Sequence, residues 1–165
     1  PRAVNEEQAR KVIAAAPLSY VGVFRNADIN DVAAKADALS LSAVQLHGDE
    51  DQTYIDALRH VLAPQVQIWK AQSVGAILPA RNLTHVDKYV LDNGQGGTGQ
   101  RFDWSLLRGE VLDNVLLAGG LSPDNCVEAA KTGCAGLDFN SGVESQPGIK
   151  DASKLASVFK TLRAY

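Results

Sequence analysis

Short apolar runs rich in branched and aromatic residues recur along the chain at a steady interval. They are Tyr20-Val21-Gly22-Val23-Phe24, Ala43-Val44-Gln45-Leu46, Val66-Gln67-Ile68-Trp69, Tyr89-Val90-Leu91, Val115-Leu116-Leu117-Ala118 and Gly136-Leu137-Asp138-Phe139. Brief, nearly continuous apolar character is what strands buried on both faces require. Between these runs the apolar positions switch to a helical period. Ala9, Val12, Ile13 and Ala16 form one stripe, Ile29, Val32, Ala33 and Ala36 a second. Ile55, Leu58 and Leu62 form a third, and Leu155, Val158, Phe159 and Leu162 the last, each able to cover a sheet with one face. Asn5 ahead of Glu6-Glu7, and Ser122-Pro123-Asp124, read as helix starts, since a side-chain oxygen can cap the first free N–H groups.

The pattern predicts a helix followed by six strand–helix units of about 21 to 27 residues each. Strict alternation without hairpin signals predicts parallel strands joined by right-handed crossovers. Two architectures satisfy this: an open doubly wound sheet, or a (β/α) barrel. Six strands suit the open sheet, whereas an opening helix with no strand before it suits a barrel cut near its start.

Composition narrows the function classes more than the fold. At 165 residues the chain has the length of one domain, taken as 1–165, with 45% apolar and 21% charged residues, the balance of a globular protein. A net charge of −3 provides no basic footprint for nucleic acid or an anionic membrane. No window approaches the roughly 18 unbroken apolar residues of a membrane-spanning helix, and the polar opening stretch is unlike a signal peptide, so a cytoplasmic protein is expected. Cys126 and Cys134 lack the partners a disulfide framework or zinc site needs and read as reduced, packed thiols. The absence of methionine points to a processed chain or a piece of something longer.

In either architecture chemistry gathers where strands end. Asp92 ends one strand and opens the loop Asn93-Gly94-Gln95-Gly96-Gly97-Thr98-Gly99. A carboxyl group under a glycine loop suits a general acid, although an aspartate capping its own turn would look the same. Gly94, Gly96 and Gly99 match the dinucleotide fingerprint by letter. That fingerprint must open a sizeable helix and be followed by an acidic strand end. Here only a short helical stretch around Trp104 comes next, and the following strand ends in Ala118-Gly119-Gly120, so no nicotinamide cofactor is expected. The loops Gly119-Gly120-Leu121 and Asn140-Ser141-Gly142 come after the last two strands, where barrels commonly build a phosphate site from bare N–H groups. Glycines serving tight turns remain the alternative. His47 also ends a strand and reads equally as a substrate contact or a polar loop residue, while His60 and His85 read as surface residues.

Taken in order, Tyr20 to Phe24, Val44-Gln45-Leu46-His47-Gly48, Leu91-Asp92 with Gly96-Gly97-Thr98-Gly99, Phe102-Asp103-Trp104, Gly119-Gly120-Leu121, and Ser141-Gly142-Val143-Glu144 with Pro147-Gly148 resemble phosphoribosylanthranilate isomerase. The resemblance runs the length of the chain. It is nearest the form that lies behind an indole-3-glycerol-phosphate synthase domain in a bifunctional protein. It implies an eight-stranded (β/α) barrel of tryptophan biosynthesis, here lacking the first strand, first helix and second strand. It implies an Amadori rearrangement of N-(5-phosphoribosyl)anthranilate to 1-(2-carboxyphenylamino)-1-deoxyribulose 5-phosphate by positioned protons, with no metal and no cofactor. Asp92 falls on the family's general acid, Arg2 on the arginine that grips the anthranilate carboxylate, and Asp138 on an aspartate of the barrel mouth. Gly119, Gly120, Asn140, Ser141 and Gly142 fall on the phosphate site, with His47 a further substrate contact. The family's base is a cysteine in a Lys-x-Cys-Gly-like motif that is not found here, so residues 1–165 alone are expected to be inactive and to need a complementing N-terminal segment. Alternatives are a non-catalytic phosphate-binding or scaffold module, or another phosphosugar barrel enzyme such as an epimerase.

Overall fold

A computed structural model describes residues 2–94 and 101–165 of the chain. Gln95 to Gln100, and with them the glycine run Gly96-Gly97-Thr98-Gly99, lie outside the described residues. The chain divides into two compact units. The N-terminal unit comprises Ala3–Ala71 and Arg81–Lys88, and the C-terminal unit comprises Gln72–Ala80 and Tyr89–Tyr165 together with Arg2.

The N-terminal unit opens with α1 (Glu6–Ala15), whose start carries a full capping box. The Asn5 side chain accepts from the Gln8 N–H, and the Gln8 side chain accepts from the Asn5 N–H, which satisfies two donors that a helix start leaves orphaned. Next come β1 (Val21–Phe24), α2 (Ile29–Ala38), β2 (Ala43–Leu46), α3 (Gln52–Val61) and most of β3 (Gln67–Ser73). β1 pairs parallel to β2 with Val21 opposite Ala43, and β2 pairs parallel to β3 with Ala43 opposite Gln67. The helical stripes close on this sheet: Val32, Ala36, Ile55, Leu58 and Leu62 bury together with Val44, Leu46, Val66 and Ile68. By contrast, α1 buries none of its side chains, and Val12 from its predicted stripe is exposed.

The C-terminal unit holds the end of β3, then β4 (Lys88–Asp92) from Tyr89 onward, β5 (Val115–Leu117), α4 (Cys126–Ala130), β6 (Gly136–Leu137), β7 (Glu144–Gln146), β8 (Ile149–Lys150) and α5 (Ala152–Ala164). β4, β5 and β6 are parallel, with Leu91 opposite Leu117 and Leu117 opposite Leu137. Their core gathers Leu91, Phe102, Trp104, Leu107, Val115, Leu117, Leu121 and Ala129. Strands hydrogen-bond in chain order. A doubly wound sheet reverses its order at a switch point, so that alternative does not fit.

The regular strand–helix repeat breaks in several places. The connections after β3 and β4 contain no α-helix among the described residues, and β4 is succeeded by a 3-10 turn, Trp104–Leu107. In residues 74–87 the apolar positions sustain no helical period over two turns and Pro79 interrupts them, so the chain crosses as a loop. An antiparallel hairpin, β7 with β8, turns at Pro147-Gly148, a dipeptide that marks turns. Ser122-Pro123 does not cap a helix: α4 begins only at Cys126, and the Asn125 side chain folds back to accept from the Ser122 N–H instead. Phe159 of the last stripe is exposed, leaving Val158 as the buried residue of α5.

Candidate active site

Asp92 is the last residue of β4, and backbone pairing runs on beyond the strand ends. The Val74 N–H donates to the Asp92 carbonyl (2.7 Å), Ala118 to Leu91 (2.8 Å) and Asp138 to Leu117 (2.8 Å). Parallel pairing thus delivers Asp92, Gly119 and Asp138 to the same end of the C-terminal unit. The Asp92 carboxylate is half-buried and accepts from the Asn93 N–H at 2.6 Å. Gly119 presses against it. A Cβ at that position would stand 2.5 Å from Asp92 Oδ1 and 3.1 Å from the Asn93 nitrogen. Gly119 also adopts φ 82°, a region that side chains disfavour.

The two glycine loops meet. A Cβ on Gly142 would overlap the Leu121 carbonyl oxygen, so the loop after β6 packs backbone-to-backbone on the loop after β5. Asn125 pins the first of these loops, donating to the Gly120 carbonyl at 2.9 Å. The second loop forms a 3-10 turn, Ser141–Val143, at the place where barrel phosphate sites employ a short extra helix. Asn140 has a further engagement that its motif does not announce. Its carbonyl and its side-chain oxygen both accept from Lys150 Nζ, at 2.9 and 2.7 Å, so it braces the loop through a lysine of β8.

Arg2 makes a forked ion pair with Glu144, Nε to Oε1 at 2.9 Å and Nη2 to Oε2 at 2.7 Å. Lys150 Nζ adds a third contact to Oε1 at 3.0 Å. The hydrogen bond from Arg2, working against burial and helped by Lys150, pulls the Glu144 carboxyl down to about 2. The same pairing raises the Arg2 guanidinium above its already high ordinary value. Glu144 stands in the Ser141-Gly142-Val143-Glu144 motif, but nothing in the sequence links it to a residue 142 positions away.

His47 lies in the N-terminal unit, exposed, one residue past β2, with its backbone N–H donating to the Phe24 carbonyl at 2.8 Å. Near it in sequence sits a buried ion pair that the apolar pattern does not reveal. Lys70 Nζ donates to Glu50 Oε2 at 2.9 Å and to the Gly48 carbonyl at 2.7 Å. Burial pushes the Glu50 carboxyl up, but Lys70 and the N–H groups of Asn26, Glu50 and Gly48 outweigh it and hold it below the usual range. The signal that could have found the pair is Lys70 itself, the single charge on strand β3, where a buried ion demands a partner. His60 and His85 are exposed. Cys126 is fully buried and Cys134 half-buried, both as free thiols. No group of three or more His, Cys, Asp or Glu among the described residues could hold a metal ion.

Residues 1–161 match the family described as N-(5'phosphoribosyl)anthranilate (PRA) isomerase. The chain is 74% identical over 165 residues to the tryptophan biosynthesis protein TrpCF of Salmonella typhi, covering all of this chain and 36% of that protein. It is 65% identical to the TrpCF of Yersinia pestis, covering all of this chain and 35% of that protein. The chain therefore spans about a third of the length of the curated relatives it matches. Among solved structures, the phosphoribosyl anthranilate isomerase of Thermus thermophilus superposes with a TM-score of 0.81 at 30% identity, over 96% of this chain and 80% of that one.

Proposed function

The chain belongs to the N-(5'-phosphoribosyl)anthranilate isomerase family, and on that premise we propose that its C-terminal unit forms the acid, carboxylate and phosphate portions of an isomerase active site. Asp92 is the general acid. It gives its proton to the ribose ring oxygen as the bond from that oxygen to C1 breaks, while the nitrogen lone pair moves in to leave an iminium at C1. A base then removes the C2 proton, and the resulting enolamine tautomerises to the aminoketose, C1 taking up a proton as the C2 hydroxyl gives one up. One proton is given and one taken, so C1 is reduced and C2 oxidised within the same molecule and no external redox partner is consumed. Arg2 holds the anthranilate carboxylate through a planar fork. Gly119-Gly120 and the Asn140-Ser141-Gly142 turn hold the phosphate by backbone N–H groups, and Asp138 is a further substrate contact.

The observation that carries this reading is the contact of Asp92 with Gly119. A proton donor set against the phosphate loop can reach the sugar ring of a substrate anchored by its 5-phosphate. Neither cysteine here offers the base. Cys126 is fully buried, with its Sγ placed to donate to the Pro123 carbonyl at 3.3 Å, and Cys134 precedes β6 rather than following a strand. On this reading the base lies in polypeptide outside residues 1–165, and the six strands take positions three to eight of an eight-stranded barrel. The exposed Val23 on β1, a strand whose only pairing among the described residues is with β2, supports that placement. The same reading includes an attached synthase domain, in keeping with the longer relatives, in a protein acting in the cytoplasm.

Turnover decides among the readings. Full-length protein given N-(5'-phosphoribosyl)anthranilate should produce the aminoketose, at typical enzymatic rates of about 1–1,000 per second. No product, together with tight phosphate binding, would favour a non-catalytic phosphate-binding module.

A further inference from the structure

Among the described residues, Arg2 is engaged before any substrate arrives, and by one edge only. Its Nε and one Nη2 hydrogen go to the two oxygens of Glu144. A guanidinium carries five N–H donors in a planar fork. The Nε-side pairing therefore leaves the opposite edge, formed by Nη1 and the second Nη2 hydrogen, and that edge also matches a carboxylate in width. The Arg2 side chain is 34% exposed, whereas that of Glu144 is 4% exposed, so water and ligands have access to the arginine and not to its partner.

Glu144 is held from several directions. Lys150 Nζ contacts its Oε1 at 3.0 Å, Lys154 Nζ contacts its carbonyl at 2.8 Å, and its backbone pairs with Lys150 in the β7–β8 hairpin. That hairpin directly follows the 3-10 turn of the phosphate loop. One short segment, 140–150, thus connects the loop that would take the phosphate with the carboxylate that orients Arg2.

We propose that Glu144 is the positioning residue that presents the free edge of Arg2 to the substrate carboxylate, and so sets the preference for a carboxylate-bearing aryl amine. The inference rests on the reading of Arg2 as the carboxylate clamp. Without Glu144, Arg2 is a long side chain with its rotamer freedom restored, and the ordering has to occur during binding. Because the Glu144 carboxyl is pulled down to about 2, it stays ionised across the working range of pH, so the orientation does not switch with pH. With substrate bound, one guanidinium faces two carboxylates, and Lys150 offsets the second negative charge.

The test uses the full-length protein with two substrates: N-(5'-phosphoribosyl)anthranilate, and the N-(5'-phosphoribosyl)aniline that lacks the carboxylate. Glu144→Gln replaces one acceptor by a donor facing the arginine. It should raise KM for the carboxylated substrate about tenfold, a loss of about 1.4 kcal/mol, with kcat held within about twofold. The aniline substrate should show no change in KM, and Glu144→Asp, which keeps the charge, should recover part of the loss. An equal rise for both substrates, or no rise for either, overturns the proposal. Arg2→Met separates the two levels of the inference. If it erases the preference for the carboxylated substrate while Glu144→Gln leaves that preference intact, only the positioning role fails. If Arg2→Met retains the preference, the clamp reading fails and the proposal with it.

Discussion

A methyl group at position 119 would stand only 2.5 Å from an oxygen of Asp92, on a backbone turned to φ 82°. Two separate costs arise from one substitution. The left-handed conformation alone disfavours an alanine by roughly 1–2 kcal/mol, and the carboxylate must rotate or shift to clear the new atom. Displacement of a reacting group by about 1 Å commonly costs on the order of a hundredfold in rate. Gly119→Ala should therefore lower kcat by roughly one to two orders of magnitude, as read from steady-state kinetics beside a thermal melt. Unchanged kcat in a folded variant would separate Asp92 from the chemistry. In sequence this glycine looks like one more member of a phosphate loop. Its contact with Asp92 is invisible there, because it depends on the parallel register of β4 and β5.

At the scale of elements, the six strands were legible because each is a short apolar run bounded by polar turns, and these runs pair in parallel, Leu91 with Leu117 and Leu117 with Leu137. Helices α2 and α3 were legible for the matching reason: their stripes bury. The loop at 74–87 and the hairpin at 144–150 were not, because local turn chemistry there competes with the strand–helix repeat. The hairpin brings Glu144 and Lys150 together, and with them Arg2. An assumption of regular repetition hides the segment that organises the proposed clamp. α1 offers a contrasting test, since its capping box is complete but it buries no side chain. Asn5→Ala should remove the bond to the Gln8 N–H and about 1 kcal/mol of helix stability. Amide exchange at Gln8 should quicken while the global melting temperature barely moves. A fall in melting temperature as large as that of a core truncation would show that α1 is more firmly integrated than its exposure indicates.

Taken as a whole molecule, the chain carries among its described residues two apolar clusters, one per unit, and most of the proposed chemistry lies in the C-terminal unit. The residues that match the family motif also make independent physical sense: a carboxyl group at a strand end, two interlocked glycine loops, and an arginine with a free edge. The proposed isomerase roles of these residues thus have a physical basis beside the resemblance. The buried Lys70–Glu50 pair near His47 belongs to no motif, because a single lysine in an apolar run announces a partner without naming it. The most direct measurement is the turnover of N-(5'-phosphoribosyl)anthranilate by full-length protein carrying Asp92→Asn, compared with the unaltered protein. Loss of the proton donor should reduce kcat by about a hundredfold to ten-thousandfold, the usual contribution of a general acid, with substrate affinity retained through Arg2 and the phosphate loops. A variant that turns over at close to the unaltered rate would contradict the assignment of Asp92 as the acid.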